Sequence, residues 1–180
     1  MSYKLCRYEP GQGDMLSRFV LPIAGRTYAK WVDTASAHEW ARSEHGVHAW
    51  NARLADSSTH VLVYERPDES IAACAFVRIT DEMAYLGGLY VEDIGRGLGR
   101  MLRDERLRIG RHAGARTAVM LVRQTNEPAR NHAEKAGFSM VGEESCTQLP
   151  TVPRLVYAMT GLLHEQVTVS VTRPDRPVWS

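Results

Sequence analysis

The sequence predicts one α/β domain with a mixed, mostly antiparallel sheet flanked by helices. Three apolar runs of strand length, residues 60–64, 71–80 and 83–91, follow one another with only short turns between them. Such close succession favours antiparallel hairpins. Further along, helical and strand-like segments alternate, which is typical of helices that pack on a sheet. A length of 180 residues suits a single domain of ordinary size.

In the first third of the chain, the secondary-structure elements are predicted from the spacing of apolar residues and from the positions of proline and glycine. Tyr3–Tyr8 is predicted to be a short strand, because Pro10 and glycines follow it. Residues 14–31 place apolar side chains at helical spacing, and Pro22 is expected to break this helix. A second helix is predicted over residues 36–54.

The second half of the chain alternates between helices and strands. A helix is predicted over residues 98–113, and the uninterrupted apolar run 117–123 predicts a strand that is covered on both faces. The remaining elements are a helix over 127–136 and strands over 139–148 and 154–160. Residues 164–180 are expected to form a tail, in which 166–171 alternates well enough for an extra edge strand.

Composition narrows the class of protein. The chain is 44% hydrophobic and 24% charged, as in soluble globular proteins, and its net charge of +1 argues against a nucleic-acid partner. The three cysteines, Cys6, Cys74 and Cys146, have no CxxC spacing, so we expect reduced thiols and no metal site. No apolar run reaches about 20 residues and no signal peptide is recognised, so we expect a cytoplasmic protein without a membrane partner.

The segment that carries most functional information is Leu89–Arg100, LYVEDIGRGLGR, in which three alternating glycines lie between a strand and a helix. Glycine allows the main chain to approach a phosphate closely, and a helix N-terminus presents unpaired N–H groups. Arg96 and Arg100 add positive charge. The segment therefore predicts an anion-binding loop. Its glycines are Gly95, Gly97 and Gly99.

Two other phosphate motifs are excluded, and two plainer interpretations stay open. The loop has no lysine, as a P-loop requires, and Met101 and Leu102 stand where a dinucleotide fingerprint needs its last glycine. The loop could instead be a left-handed turn before an exposed basic helix. That helix could also contact nucleic acid, although the neutral overall charge argues against it. Its arginines are Arg103, Arg106, Arg108 and Arg111.

The loop and the later segment NEPARNHAEKAGF together resemble the GNAT N-acetyltransferase superfamily, over roughly residues 71–162. The family's Q/R-x-x-G-x-G/A loop is matched by Ile94–Gly99. Its N-x-x-A-x-x-x-Y-x-x-x-G-F segment is matched by Asn126, Ala129, Gly137 and Phe138. The resemblance implies a GNAT acyltransferase fold, with the domain over residues 1–163.

The resemblance also implies how coenzyme A would be held. Main-chain amides at the loop would bind the pyrophosphate, and strand residues 89–91 would pair with the pantetheine arm. Asn126 would contact pantetheine or cap a helix before Pro128, and Arg130 would reach a phosphate. The cofactor-binding residues so implied are Leu89, Tyr90, Val91, Gly95, Arg96, Gly97, Leu98, Gly99, Arg100, Asn126 and Arg130.

Gly87 and Gly88 are unusual inside an apolar strand, because glycine weakens strands. A β-bulge or a close approach of main chain explains them. The resemblance implies that the fourth and fifth strands separate near this point and open the cleft where acyl group and amine meet.

Three family residues are replaced. Ile94 stands for the leading Gln or Arg of the loop, and Ala133 stands where a tyrosine often protonates the departing thiolate. Tyr85 stands where a glutamate often acts as base, and a phenol is a weak base at neutral pH. His132 lies next to position 133, but one helical residue turns its side chain by about 100°. The catalytic residues are therefore unassigned, with Tyr85 as a weak candidate.

A base acting through water is the remaining route. Asp81 and Glu82 are candidates, and so is a histidine of the N-terminal helices. We expect those three histidines to be surface groups without a role. They are His38, His45 and His48.

The resemblance implies that an acyl group, expected to be acetyl, passes from acetyl-CoA to a primary amine by direct attack in a ternary complex. The alternative is a GNAT-fold module that binds CoA for regulation or assembly without turnover, which the replaced tyrosine and glutamate favour. The acceptor, a small molecule or a protein amine, would be shaped by residues 14–54 and 146–153. Trp31, Trp40 and Trp50 could line its pocket or pack the core. A homodimer is left open.

Overall fold

Seven strands and five helices form the described part of this computed structural model, which covers residues 2–145 and 153–162. The elements in chain order are β1 (Lys4–Arg7), α1 (Gly13–Tyr28), α2 (Thr34–His45), α3 (Val47–Ala55), β2 (Thr59–Glu65), β3 (Ile71–Thr80), β4 (Met83–Val91), α4 (Leu98–His112), β5 (Thr117–Arg123), α5 (Glu127–Lys135), β6 (Ser139–Glu144) and β7 (Arg154–Thr160). The predicted tail 164–180, its edge strand 166–171 and most of the acceptor segment 146–153 lie outside the described residues.

The strands form one sheet in the order β1-β2-β3-β4-β5-β7-β6. Only β4 and β5 pair in parallel, and every other neighbouring pair is antiparallel. The mixed, mostly antiparallel sheet predicted from the sequence is therefore confirmed. The parallel pair arises because α4 crosses over between the two strands.

Each face of the sheet carries its own core. In β3, the side chains of Ala73, Ala75 and Val77 belong to the core that contains α4 and α5. Cys74 and Phe76 belong to the core that contains α1, α2 and α3. This alternation is the two-residue period of a strand, and it explains why β3 is apolar along most of its length. Helices thus cover both faces, as predicted.

Two details of the helices were predicted wrongly. α1 is continuous through Pro22, whose ring lies on the exposed side, where water can satisfy the carbonyl that proline leaves without a donor. The helix predicted over residues 36–54 is two helices, because Gly46 is extended with φ −67° and ψ 169°. A Cβ at Gly46 would stand 2.6 Å from the Arg42 carbonyl oxygen, so only glycine permits this corner.

Candidate active site

A cleft opens in the sheet because β4 and β5 separate. Their parallel pairing runs only from Met83–Thr117 to Tyr85–Val119. β4 nevertheless continues to Val91 and β5 to Arg123. The separation expected from the glycines of β4 is therefore present, and both strands expose main-chain groups along the gap.

A β-bulge lies at the point where the cleft begins. Phe76 faces Gly87 and Cys74 faces Tyr90, so β4 has one residue more than β3 over this interval. Gly88 has φ +45°. A Cβ on Gly87 would overlap the ring of Phe76. Both glycines are thus required, one by its φ and one by crowding, and the predicted bulge is confirmed.

A buried arginine supports the bulge from the α4 side. Arg106 is 2% exposed, and its guanidinium donates to the carbonyl oxygens of Leu102 and Gly87, each at 3.2 Å. A longer contact of 3.5 Å reaches the Phe76 carbonyl. Burial, and after it the neighbouring positive charge of Arg103, lowers the pKa of Arg106 to about 10.

Beyond β4, the glycine loop has the conformation that its sequence predicts. Gly95 and Gly97 have φ of +82° and +77°, and a Cβ at either position would meet no atom within 4 Å. The left-handed backbone, and not crowding, therefore requires these two glycines. Gly99 differs, since a Cβ there would make ordinary contacts with Leu89 and Val91.

The start of α4 is open to a ligand. Gly97 precedes the helix, and no side chain caps its first turn. The first helical hydrogen bond runs from the Met101 N–H to the Gly97 carbonyl, at 3.0 Å. Arg96 and Arg100 are exposed, and neither forms an ion pair with another residue of the described ranges. The side chain of Leu98 is buried, so only its main chain is available to a ligand.

An ion-pair network that the sequence did not reveal fixes the loop. Asp93 accepts hydrogen bonds from Arg66 at 2.6 and 3.1 Å and from the Tyr3 hydroxyl at 2.8 Å. These hydrogen bonds, first from Arg66 and then from Tyr3, lower the pKa of the Asp93 carboxyl. Because Arg66 and Asp93 come from distant parts of the chain, sequence spacing gives no signal for their contact.

The basic excess of α4 is smaller than the sequence suggested. Arg103 pairs with Asp104 at 2.7 Å, and Arg108 pairs with Glu105 at 2.6 Å. With Arg106 buried, the broad basic surface that a nucleic-acid contact would need is reduced.

Three side chains at or near α5 were considered for roles at the site, and the structure places them in different surroundings. Asn126 caps α5 by accepting from the Ala129 N–H at 3.4 Å, which confirms its role as a cap. Arg130 donates to the Gln124 carbonyl at 3.0 Å, and its phosphate contact stays a prediction. The His132 ring, in contrast, lies about 4.0 Å from the position of a Cβ on Gly99. Burial lowers the pKa of His132.

The last residues of β4 face both cores. Leu89 and Val91 pack on the side of α4 and α5, whereas Tyr90 packs on the side of α1 to α3. Tyr90 donates to or accepts from His45 Nε2 at 2.7 Å, and the Tyr28 hydroxyl lies 2.9 Å from the same nitrogen. Glu44 accepts from Tyr28 at 3.1 Å. Its carboxylate is also bonded to the Trp40 indole N–H, at 2.8 Å. We call these five residues the Glu44 cluster.

The Glu44 cluster extends across the cleft. Trp40 stacks on Tyr28 with ring centroids 4.2 Å apart, and the guanidinium of Arg123 lies 4.3 Å from the Trp40 centroid. Tyr90 is the last residue but one of β4, and Arg123 is the last residue of β5. Through Tyr90 and the contact of Trp40 with Arg123, the cluster therefore connects the two separated strands on the face of α1 to α3. The Glu44 side chain is 28% exposed, so its carboxylate can be reached from solvent.

His45 corrects the expectation that all three N-terminal histidines are surface groups. His38 and His48 are exposed, but His45 is only 4% exposed. Burial lowers the pKa of His45 to about 3, and the charge of Arg53 adds to this. A helical spacing of four, through the buried residues Ala37 and Ala41, is the sequence signal that could have placed His45 inside.

The residues considered as base or acid lie in different surroundings. Tyr85 is half-buried and makes no hydrogen bond with any residue in the described part of the chain. Burial raises the pKa of Tyr85, so its hydroxyl stays protonated and is unsuited to act as a base. Ala133 is fully buried in the core. Asp81 and Glu82 lie at the paired end of β4, where Glu82 binds Arg116 at 3.2 Å.

Within residues 2–145 and 153–162, no three His, Cys, Asp or Glu side chains come together as a metal would require. None of the helices in those ranges combines the length and the apolar character needed to cross a membrane. A surface groove of about 430 Å³ beside α1 contains none of the residues predicted to bind the cofactor.

Solved structures share this architecture. The PaiA N-acetyltransferase of Thermoplasma acidophilum, solved with coenzyme A, has a TM-score of 0.75 at 16% identity, covering 89% of this chain and 99% of that one. A GNAT-family acetyltransferase from Staphylococcus aureus Mu50 has a TM-score of 0.69 at 12% identity, covering 88% and 99%. A GCN5-related N-acetyltransferase from Rhodopseudomonas palustris has a TM-score of 0.69 at 15% identity, covering 89% and 96%. At these identities the likeness shows the fold.

Sequence comparison identifies the family. A search of curated proteins found no match. The profile of the acetyltransferase (GNAT) family matches residues 26–138, which is more than half of the chain and runs from α1 to the start of β6. That range includes the separated strands, the bulge and the glycine loop. The chain therefore belongs to the GNAT acetyltransferase family, as the resemblance of its glycine loop implied.

Proposed function

We propose that this protein is an acyl-CoA-dependent N-acyltransferase that transfers an acetyl group from acetyl-CoA to a primary amine by direct attack in a ternary complex. The observation that carries the proposal is the cleft between β4 and β5, which leads from the Gly87–Gly88 bulge to the uncapped start of α4. A thioester bound along this path would have its phosphates at a helix N-terminus and its acyl carbon inside the sheet.

The cofactor side of the cleft supports this placement. The pyrophosphate is assigned to the main chain of residues 95–100, with Arg96 and Arg100 adding charge. The pantetheine arm is assigned to the edge of β4 at residues 89–91, whose main chain has no partner strand in β5. His132 lies beside this path, and Asn126 supports it by capping α5.

The acceptor is assigned to the opposite face, under α1 to α3. The Glu44 cluster covers the cleft there, and the exposed part of the Glu44 carboxylate supplies the charge that attracts an ammonium group. A positively charged amine is therefore the acceptor class that we favour. Tyr28, Trp40 and Tyr90 would contact the apolar part of such a molecule.

Positioning carries most of the proposed catalysis. Holding the amine and the thioester in contact removes a large entropic part of the barrier. Tyr85 can donate a hydrogen bond in the cleft but is not a base. The amine proton would then leave through water, with Glu44 as the one carboxylate of the Glu44 cluster.

Calorimetry with acetyl-CoA and free CoA, followed by thiol release with a panel of primary amines, tests the proposal. We expect binding of both ligands and turnover with at least one amine. No binding of either ligand would contradict the proposal. Binding without turnover on any amine would favour a CoA-binding module, a reading supported by the absence of a base on β4 and by Ala133.

A further inference from the structure

Arg106 is a buried positive charge for which the described chain provides no counter-ion. A charged group is removed from water at high cost unless a partner compensates it. The guanidinium here is bonded only to carbonyl oxygens, those of Leu102, Gly87 and Phe76. Its nearest charged or titratable neighbours are Arg103, His132 and the thiol of Cys74. Within residues 2–145 and 153–162, no carboxylate lies against it.

We propose that Arg106 is a positioning residue that stabilises the negative charge developing on the bound thioester, acting through the Gly87–Gly88 peptide. This inference rests on the proposed function, which places the thioester at the bulge. The missing counter-ion of Arg106 is then the charge of the transition state itself, which exists only while acyl transfer proceeds.

The geometry of the peptide provides the connection. All peptide bonds in the described ranges are trans. In a trans peptide the N–H points opposite to the C=O. The Gly87 carbonyl points to Arg106, so the Gly88 N–H of the same peptide points away from it. A cation bonded to the carbonyl polarises the peptide and makes that N–H a stronger donor.

The reaction places negative charge within reach of this donor. The nitrogen lone pair of the acceptor forms a bond to the acyl carbon, and the carbonyl π electrons move to oxygen. They return as the C–S bond breaks, and the sulfur leaves with the bonding pair as a thiolate. The nitrogen loses two protons to water, one before attack, when the ammonium becomes the free amine, and one as the amide forms. Because Ala133 cannot protonate the thiolate, electrostatic stabilisation of oxygen and sulfur becomes more important.

The test compares Arg106→Met with Arg106→Lys, and it uses Arg108→Met as a matched control on the exposed side of α4. Arg106→Met is expected to lower kcat by at least about tenfold, since loss of one preorganised donor costs about 100-fold or more. Acetyl-CoA affinity is expected to change by less than about threefold. Arg106→Lys, which keeps the charge, is expected to retain most of kcat, and Arg108→Met all of it.

A second measurement separates an electrostatic role from a structural one. The ionisation of the CoA thiol, followed by its thiolate absorbance, is expected at lower pH in the wild-type complex than in free CoA. The shift is expected to shrink in Arg106→Met. Unaltered ionisation in the wild-type complex would overturn the inference even if Arg106→Met does not fold. Equal losses of kcat in both Arg106 variants, or none in Arg106→Met, would also overturn it. Failure of the proposed function is distinct, because the wild-type protein itself would then not bind or turn over.

Discussion

The two sides of the cleft are built by different means. The side proposed to hold the cofactor, called the cofactor side, consists of main chain: a bulge, left-handed glycines and an uncapped helix start within one continuous segment, residues 87–100. The side proposed to hold the acceptor, called the acceptor side, consists of side chains that α1, α2, β4 and β5 bring together from residues 28 to 123. One side is therefore defined by backbone conformation and the other by tertiary packing.

This difference determines what substitutions can do. On the cofactor side, a change of side chain matters when it adds a charge or forbids a positive φ. On the acceptor side, a change matters when it removes a particular polar group.

The largest expected effect is on the cofactor side. Gly97→Glu should lower CoA affinity by about 100-fold or more, because a carboxylate would stand near the bound pyrophosphate. A Cβ at position 97 would meet no atom within 4 Å, but φ there is +77°. The substitution therefore also destabilises the folded protein by backbone strain of about 1–2 kcal/mol. Calorimetry with free CoA measures the loss.

Gly114→Glu is the matched control for this strain. Gly114 has φ +85° and equally open surroundings, but it lies past the opposite end of α4. We expect a comparable loss of stability with unchanged CoA affinity. If both variants lost CoA affinity equally, the loss would be caused by destabilisation of the fold and not by the charge at the loop. The loop would then not be shown to hold the pyrophosphate.

On the acceptor side, Glu44→Gln should raise the KM for a cationic amine by about tenfold, with CoA affinity unchanged. The amide oxygen can still accept from the Trp40 indole N–H, and the amide NH2 can donate to the Tyr28 hydroxyl, so the variant mainly removes charge. A charge-assisted hydrogen bond contributes about 1.5–3 kcal/mol. Steady-state kinetics measures the KM. Glu39→Gln, an exposed change on the same helix, is expected to have no effect. An equal rise of the KM in both variants would contradict the assignment of Glu44 to the acceptor site.

The sequence predicted the backbone features of the side proposed to hold the cofactor and missed most side-chain contacts of the side proposed to hold the acceptor, for a physical reason. Glycines with positive φ, a strand bulge and a helix start depend on residues that are neighbours in the sequence. Gly88, Gly95 and Gly97 can therefore be recognised from the sequence alone. The contacts of His45 with Tyr28 and Tyr90 depend on how helices pack on the sheet, and no local pattern encodes them. The same holds for Arg66 and Asp93.

The strands, too, could be predicted where their signal is local in the sequence. β3, β4, β5 and β7 were predicted with their observed bounds, because apolar runs ending at turn residues are local signals. The break between α2 and α3 was missed, because the close approach of Gly46 to the Arg42 carbonyl becomes visible only in three dimensions.

A smaller effect concerns stability and pH. His45 has a pKa near 3 in the folded protein, against an ordinary value of 6.5. Unfolding therefore takes up a proton between these values, and the free energy of unfolding should fall by about 1.4 kcal/mol for each pH unit below about 6. His45→Gln should remove this part of the slope. Urea unfolding from pH 7 to pH 4.5 measures it.

The pH experiment needs a correction for other groups. The carboxyls of Asp56 and Asp93 have lowered pKa, so their protonation also lowers the free energy of unfolding as pH falls. The difference between wild type and variant removes their contribution. Glu44, Tyr28, Tyr90 and Arg53 surround His45 and remain in both proteins. His48→Gln, at an exposed position, should keep the full wild-type slope. A wild-type slope in His45→Gln would mean that His45 is protonated in the folded state.

The smallest effect is expected at Tyr85, where the family usually has its base. Tyr85→Phe should change kcat by less than about threefold and leave the pH profile of kcat/KM unaltered. The phenol has a raised pKa and no hydrogen-bond partner in the described ranges, so its removal leaves no group unsatisfied. A loss of 100-fold, or a displaced basic limb in the pH profile, would make Tyr85 catalytic. The chemistry would then depend on a side chain of β4 itself, and the division between a main-chain cofactor side and a side-chain acceptor side would not extend to the reacting centre.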